Sequence, residues 1–171
     1  MMPPSKTITK LEHVSAFFSQ IALGFSGLFL ILMITHITID VVLRFFFNIA
    51  LHGTLEVVSF YYMVCIVFLP LAFVELKQEH ISVDVLVNHF PPNIRLALYL
   101  TSCLLGVIYF SMLGYQSLLD AIKATQSQET AMANFTFYLW PSRWALPVGF
   151  FAMDLAILAN AMKAIRLRSA L

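Results

Sequence analysis

The sequence predicts an all-α integral membrane protein with four transmembrane helices. The first and third spans are long and tilted, and a short interfacial helix lies between spans two and three. Three observations predict this. Four apolar stretches fill most of the 171 residues, and a helix needs about 20 mostly apolar residues to cross the hydrocarbon. Hydrophobic residues make up 60% of the chain and charged residues 11%, where a soluble domain carries about 25% charge. The mean hydropathy is +0.86, and the charges gather between the apolar stretches. Four spans leave little chain for anything outside the bilayer, so residues 1–171 read as one helical membrane domain. The net charge is +1 with no long basic run. Membrane lipid, not nucleic acid, is the expected surroundings.

Span one is predicted over Val14–Ile39. Lys6 and Lys10 precede it as they would a signal peptide, but the apolar run far exceeds a signal core and shows no small-residue cleavage site. It reads as a retained span. If Val14–Phe47 were one helix it would reach about 50 Å at 1.5 Å per residue, against about 30 Å of hydrocarbon, so it tilts, bends or projects. Span two is predicted over Leu55–Val74, with Pro70 as a possible kink whose freed carbonyl needs another donor. Glu75, Lys77 and Glu79 read as its solvated end.

A helix over His80–Phe90 places His80, Asp84 and Asn88 in one stripe and Val83, Leu86, Val87 and Phe90 largely on another. That is the pattern of a helix lying in the membrane interface. Pro91-Pro92 ends it and opens span three, predicted over Ile94–Leu119. Gly106 and Gly114 there permit close helix contact, without the GxxxG spacing. Span four is predicted over Trp144–Ile165, with Pro141 and Pro147 bracketing its start. Trp140 and Trp144 beside Tyr138 read either as an aromatic belt or as loop packing. Cys65 and Cys103 fall inside spans and read as small apolar side chains rather than a disulfide.

Basic residues orient the chain. With an even number of spans, Lys6, Lys10, Lys77, Arg95, Lys163, Arg166 and Arg168 share the side of the termini. Arg44, Lys123 and Arg143 lie opposite. Seven against three puts both termini in the cytoplasm.

Few polar groups lie within or beside the spans. His36, Asp40 and Arg44 share one helical face, with Asp40 four residues before Arg44, the favoured order for an intrahelical pair. They form either a self-neutralising interfacial pair or a polar seam that meets another helix or subunit. Glu56 opens span two, where a carboxylate suits the helix dipole or accepts from Arg44 across the hairpin. His80 and Asp84 stand four apart without the further ligands that zinc requires, so hydrogen bonding that pins the interfacial helix is their expected role. Asp154 falls near the middle of span four. A lone charge there costs at least about 2.5–3.5 kcal/mol, so it calls for protonation, a hydrogen bond or a partner helix. A proton relay through Asp154 lacks a second member at its depth. The chain carries no phosphate-cradling glycine loop, no CxxC and no nucleophile–base constellation, so neither an enzyme nor a bound cofactor is expected.

The order of these features resembles a known family. It runs Asp40-Val41-Val42-Leu43-Arg44, Glu56 at span two, Phe68-Leu69-Pro70-Leu71-Ala72-Phe73, and Glu79-His80-Ile81-Ser82-Val83-Asp84. The Pro91 break follows, and then Pro141-Ser142-Arg143-Trp144 and Pro147-Val148-Gly149. The chain is similar over nearly its whole length to the small membrane subunit, the Q-type small permease, of a tripartite ATP-independent periplasmic (TRAP) transporter. The resemblance implies a bacterial inner-membrane protein with both termini inside. It implies a large multi-span permease subunit as partner, and a periplasmic substrate-binding protein that captures a carboxylate such as sialic acid or a C4-dicarboxylate. It implies sodium-driven uptake without ATP, with transport and ion sites in the large, elevator-type subunit. The small subunit is then a scaffold and a docking aid. Carried over by position, Arg44, Glu56, His80 and Asp84 brace the hairpin and interfacial helix and meet the large subunit. Leu55 stands where the family usually carries a tryptophan, and Asp154 matches none of the family's recurrent positions.

Two other classes compete. A haem- or quinone-bearing anchor of a respiratory complex needs two imidazoles at similar depth, and only His36 lies clearly within a span. A Soret band distinguishes it. A small channel using Asp154 requires flux through the isolated chain.

Overall fold

The computed structural model describes residues 6–77, 90–131 and 137–167. Four helices in it are long and apolar enough to cross a membrane: Ser15–Phe47, Thr54–Lys77, Pro92–Gln126 and Trp140–Leu167. All four expected spans are present, and each is longer than its apolar stretch. Hydropathy marks the hydrocarbon, whereas helical hydrogen bonding continues through polar residues at both interfaces. The helix that carries span one runs Lys6–Phe47, 42 residues, or about 63 Å at 1.5 Å per residue. Span three has 35 residues, about 52 Å long by the same rise. The interfacial helix expected over His80–Phe90 falls, apart from Phe90, outside the described residues.

Local chemistry explains where the helices stop. Asn48 adopts a left-handed φ of 54° just after span one, and Gly53 one of 90° just before span two. Both are residue types that tolerate that region. Span three ends at Gln128 with φ 50°. There the Glu129 N–H returns to the Ala124 carbonyl at 2.9 Å and the Gln128 N–H to Thr125 at 3.3 Å. This is a Schellman closure of the last turn. Two short antiparallel strands follow, β1 (Thr130–Ala131) and β2 (Phe137–Tyr138), with Thr130 opposite Tyr138 and Ala131 opposite Phe137.

Span two is interrupted twice. A π-helical turn occupies Val58–Tyr62, and the α-helix Met63–Phe68 gives way at Leu69-Pro70 before resuming over Leu71–Lys77. Proline has no N–H to offer the carbonyl four residues back, Ile66. The Ser26 hydroxyl of span one donates to that Ile66 carbonyl at 3.1 Å. The helix is interrupted at Pro70, and its orphaned acceptor is served from a neighbouring helix.

Span four is the hub. Half of its most apolar window is buried, against 11% in each of spans one and two and 6% in span three. Spans one, two and three all pack on it. Cys103 of span three meets Met153 and Ile157 of span four in the core, with Phe110 and Tyr99 packed around them. The Phe150 ring sits 5.3 Å from Phe68 and 6.0 Å from Phe110, joining spans two, three and four. Close approach depends on small residues. A Cβ on Gly114 would meet the Phe151 ring at 3.2 Å, and one on Gly149 would collide with the Phe68 carbonyl oxygen.

Candidate functional site

Four polar contacts within the bundle join one span to another, while hydroxyls such as Thr35, Thr38 and Thr101 return to carbonyls of their own helix. Ser26 joins spans one and two through the Ile66 carbonyl. His36 Nδ1 and the Tyr62 hydroxyl, 3.3 Å apart, join them again one helix segment further out. The two rings pack edge to face there. The Ser111 hydroxyl of span three donates to Asp154 Oδ2 of span four at 2.8 Å. The Asn160 amide of span four donates to both the Glu75 carbonyl at 2.8 Å and the Glu75 carboxylate at 3.1 Å. Each bond satisfies a group that lipid would leave unpaired.

Asp40 is the second polar centre, at the far end of span one. It is buried, with 6% of its surface exposed. Its Oδ2 accepts from Arg44 at 2.8 Å, and its Oδ1 accepts from the Leu51 N–H at 2.9 Å. One carboxylate thus ties the helix end to the turn that follows. Below Leu51, the Thr54 hydroxyl returns to the Leu51 carbonyl at 3.3 Å. The Arg44 side chain is 60% exposed, so most of its guanidinium fork faces outward. Beside it, Phe45, Leu55 and Val58 line an apolar groove between spans one and two.

These positions resolve several sequence-based alternatives. Asp40 and Arg44 do form the intrahelical pair. His36, on the same face, turns to Tyr62 instead. Glu56 sits in the first turn of span two, the dipole-favoured site. Among the described residues no hydrogen bond or ion pair joins it to Arg44, whose partner is Asp40. Glu75, expected as part of a solvated helix end, is engaged by Asn160. Asp154 has the hydrogen bond its depth demands, yet its Oδ1 is buried with no partner among the described residues. His80 and Asp84 lie outside the described residues.

The connection between spans three and four forms a bonded cap over the ends of spans two, three and four. Arg143 donates to Glu129 Oε1 at 2.7 Å, and the Leu139 N–H donates to the Glu129 carbonyl at 2.8 Å. The Tyr61 hydroxyl of span two donates to the Tyr138 carbonyl at 2.6 Å, and the Tyr61 ring meets Phe137 at 5.2 Å. Trp144 Nε1 donates to Thr125 Oγ1 at 3.1 Å, while 39% of Trp144 remains exposed. Trp144 therefore packs against span three and keeps an open face, and Trp140 begins the helical turn that leads into it.

Ser26, Tyr61, Tyr62, Ser111, Thr125, Glu129 and Asn160 are among the structural residues that sequence reasoning passed over. Only Ser26 carried a usable signal, namely a lone hydroxyl in the span facing a proline-broken one.

The model of the family described as tripartite ATP-independent periplasmic transporters, DctQ component, matches residues 33–167. That stretch contains His36, Asp40, Arg44, Glu56 and Asp154. No curated protein and no solved structure matches the chain.

Proposed function

From the premise that this chain belongs to the DctQ family, the small membrane component of tripartite ATP-independent periplasmic transporters, we propose that it is a scaffold that carries no substrate itself. It braces a large elevator-type permease subunit in the bacterial inner membrane, with both termini cytoplasmic. The assembled transporter takes up a carboxylate, of the sialic acid or C4-dicarboxylate kind, by sodium symport. A periplasmic binding protein delivers that substrate, and the cap built on Glu129, Tyr138 and Arg143 contributes to its docking.

The observation that carries this reading is the use made of the intramembrane polar groups. Ser26, His36, Ser111 and Asn160 each close a bond between two spans. Such cross-links hold a bundle rigid. A stationary scaffold needs that rigidity while its partner moves. In spans one to three only about a tenth or less of the most apolar window is fully buried (11%, 11% and 6%). Lipid covers such faces as well as protein does, so family membership, not hydrophobicity, assigns a subunit to them.

Copurification tests the reading. The chain should bring down the large permease from detergent extracts, and liposomes should take up substrate only when both membrane subunits and the binding protein are present. Uptake by liposomes holding this chain alone would falsify it.

A further inference from the structure

A cleft of about 380 Å³ opens between the ends of spans one, two and four. It lies where span one begins and spans two and four finish. Asn160, 4% exposed, forms part of its floor and holds the Glu75 carboxylate in place. Ser19 beside it is fully buried, its hydroxyl donating to the Ala16 carbonyl at 3.0 Å. Lys77, Lys163 and Gln20 line the same cleft. The Lys77 ammonium stands 5.7 Å from the Phe73 ring centroid. Two lysines therefore border a cavity whose neighbouring carboxylate is already engaged by an amide.

One turn deeper into the bilayer, Leu23 follows Ser19 by four residues and Leu155 precedes Ala159 by four. Such spacing keeps them on the same helical stripes. Both are exposed, at 37% and 38%. The cleft is cationic at its mouth and continuous with apolar faces below.

We propose that this cleft binds the phosphate headgroup of an anionic phospholipid. Lys77 and Lys163 supply the counter-charge, Gln20 adds a neutral donor, and the Leu23 and Leu155 faces lie against the acyl chains. Basic pockets between helices at an interface suit such headgroups, and lysine stems lie along apolar surface while their charge stays at headgroup level. Free phosphate shares the headgroup's chemistry. The apolar faces favour the lipid, because inorganic phosphate gains nothing from them.

The test uses the full chain in mild detergent, with phosphatidylglycerol, phosphatidylcholine or inorganic phosphate added separately. Native mass spectrometry reads retained lipid, and thermal unfolding reads stabilisation. Phosphatidylglycerol should be retained and should raise the midpoint, while phosphatidylcholine and inorganic phosphate should not. K77Q/K163Q should weaken phosphatidylglycerol binding about tenfold or more, K77R/K163R should keep it, and Lys123→Gln should leave it unchanged. Equal retention of the two lipids by the unmodified chain overturns the proposal, even if the double variant does not fold. So does undiminished binding by a folded K77Q/K163Q chain. Protection by inorganic phosphate equal to that by phosphatidylglycerol overturns the lipid assignment.

Discussion

The Ser26 hydroxyl lies 3.1 Å from the Ile66 carbonyl oxygen, the acceptor that Pro70 leaves without its helical donor. A break in one span is thus repaired by a side chain of another. Ser26→Ala should orphan that carbonyl inside the bundle and destabilise the chain by about 1 kcal/mol. Pro70→Ala restores an N–H at the helical position, so S26A should cost less in a P70A background. Denaturation of the four chains in detergent measures the coupling. Strictly additive effects would show that the serine does not serve the broken turn.

Asp40 and Arg44 should separate in their effects although they form one ion pair. Arg44→Ala removes an exposed partner, and exposed pairs contribute little to stability. Asp40→Ala removes the acceptor of both Arg44 and the Leu51 N–H and frees the turn between spans one and two. Asp40→Asn keeps an oxygen for Leu51. The expected order of destabilisation is D40A, then D40N, then R44A. Hydrogen exchange at the Leu51 amide should rise in D40A and stay near the original rate in R44A.

Arg44 is 60% exposed at its side chain and Glu56 takes part in none of the bonds that join the spans among the described residues, so their expected role is assembly. Arg44→Ala and Glu56→Ala should each reduce copurification with the large permease several-fold while the isolated chain keeps its unfolding midpoint. An altered substrate profile in a fully assembled transporter would instead place them near the transport path.

Gly149 has no room for a side chain, because a Cβ there meets the Phe68 backbone of span two. Gly149→Ala should destabilise by roughly 1–3 kcal/mol as spans two and four are forced apart. Gly24 has nothing within 4 Å of its Cβ position. Gly24→Ala should be neutral or slightly stabilising, since alanine is the better helix former. Equal losses at both sites would mean that helix contact is not what selects Gly149.

Asp154 accepts from Ser111 through one oxygen and keeps the other buried with no partner among the described residues. Asp154→Asn retains an acceptor for Ser111 and removes any charge. As a brace, D154N should fold, assemble and support uptake by the complete transporter as well as the original chain does. Lost uptake in a correctly assembled D154N complex would return Asp154 to the proton-pathway reading.

Span existence was legible because the bilayer imposes one requirement on every crossing segment: about 20 apolar residues with their backbone bonds closed internally. Pro70 announced the broken turn, because it lacks an N–H, and Asp40 and Arg44 announced their pair, because four residues separate them on one helix. Glu56 was less legible. Its location at a helix start was plain, but whether it or Asp40 partners Arg44 depends on how the turn between spans one and two folds, and there Asp40 binds both Arg44 and the Leu51 N–H. Asn160 and Glu75 were not legible at all. They are 85 residues apart, and nothing in either neighbourhood names the other.

By itself, then, the order of residues determined that this chain lives in lipid, that it has four spans and that Pro70 interrupts the second. Those outcomes depend on local hydropathy and on the donor that each residue type does or does not possess. Only the tertiary structure decided that span four is the hub, that Ser26 repairs the Pro70 break and that Asn160 holds Glu75. In hydrocarbon an apolar side chain is equally satisfied by lipid or by a neighbouring helix. Which helices touch is therefore settled by small residues that allow close approach and by the few polar groups that must find each other across the bundle.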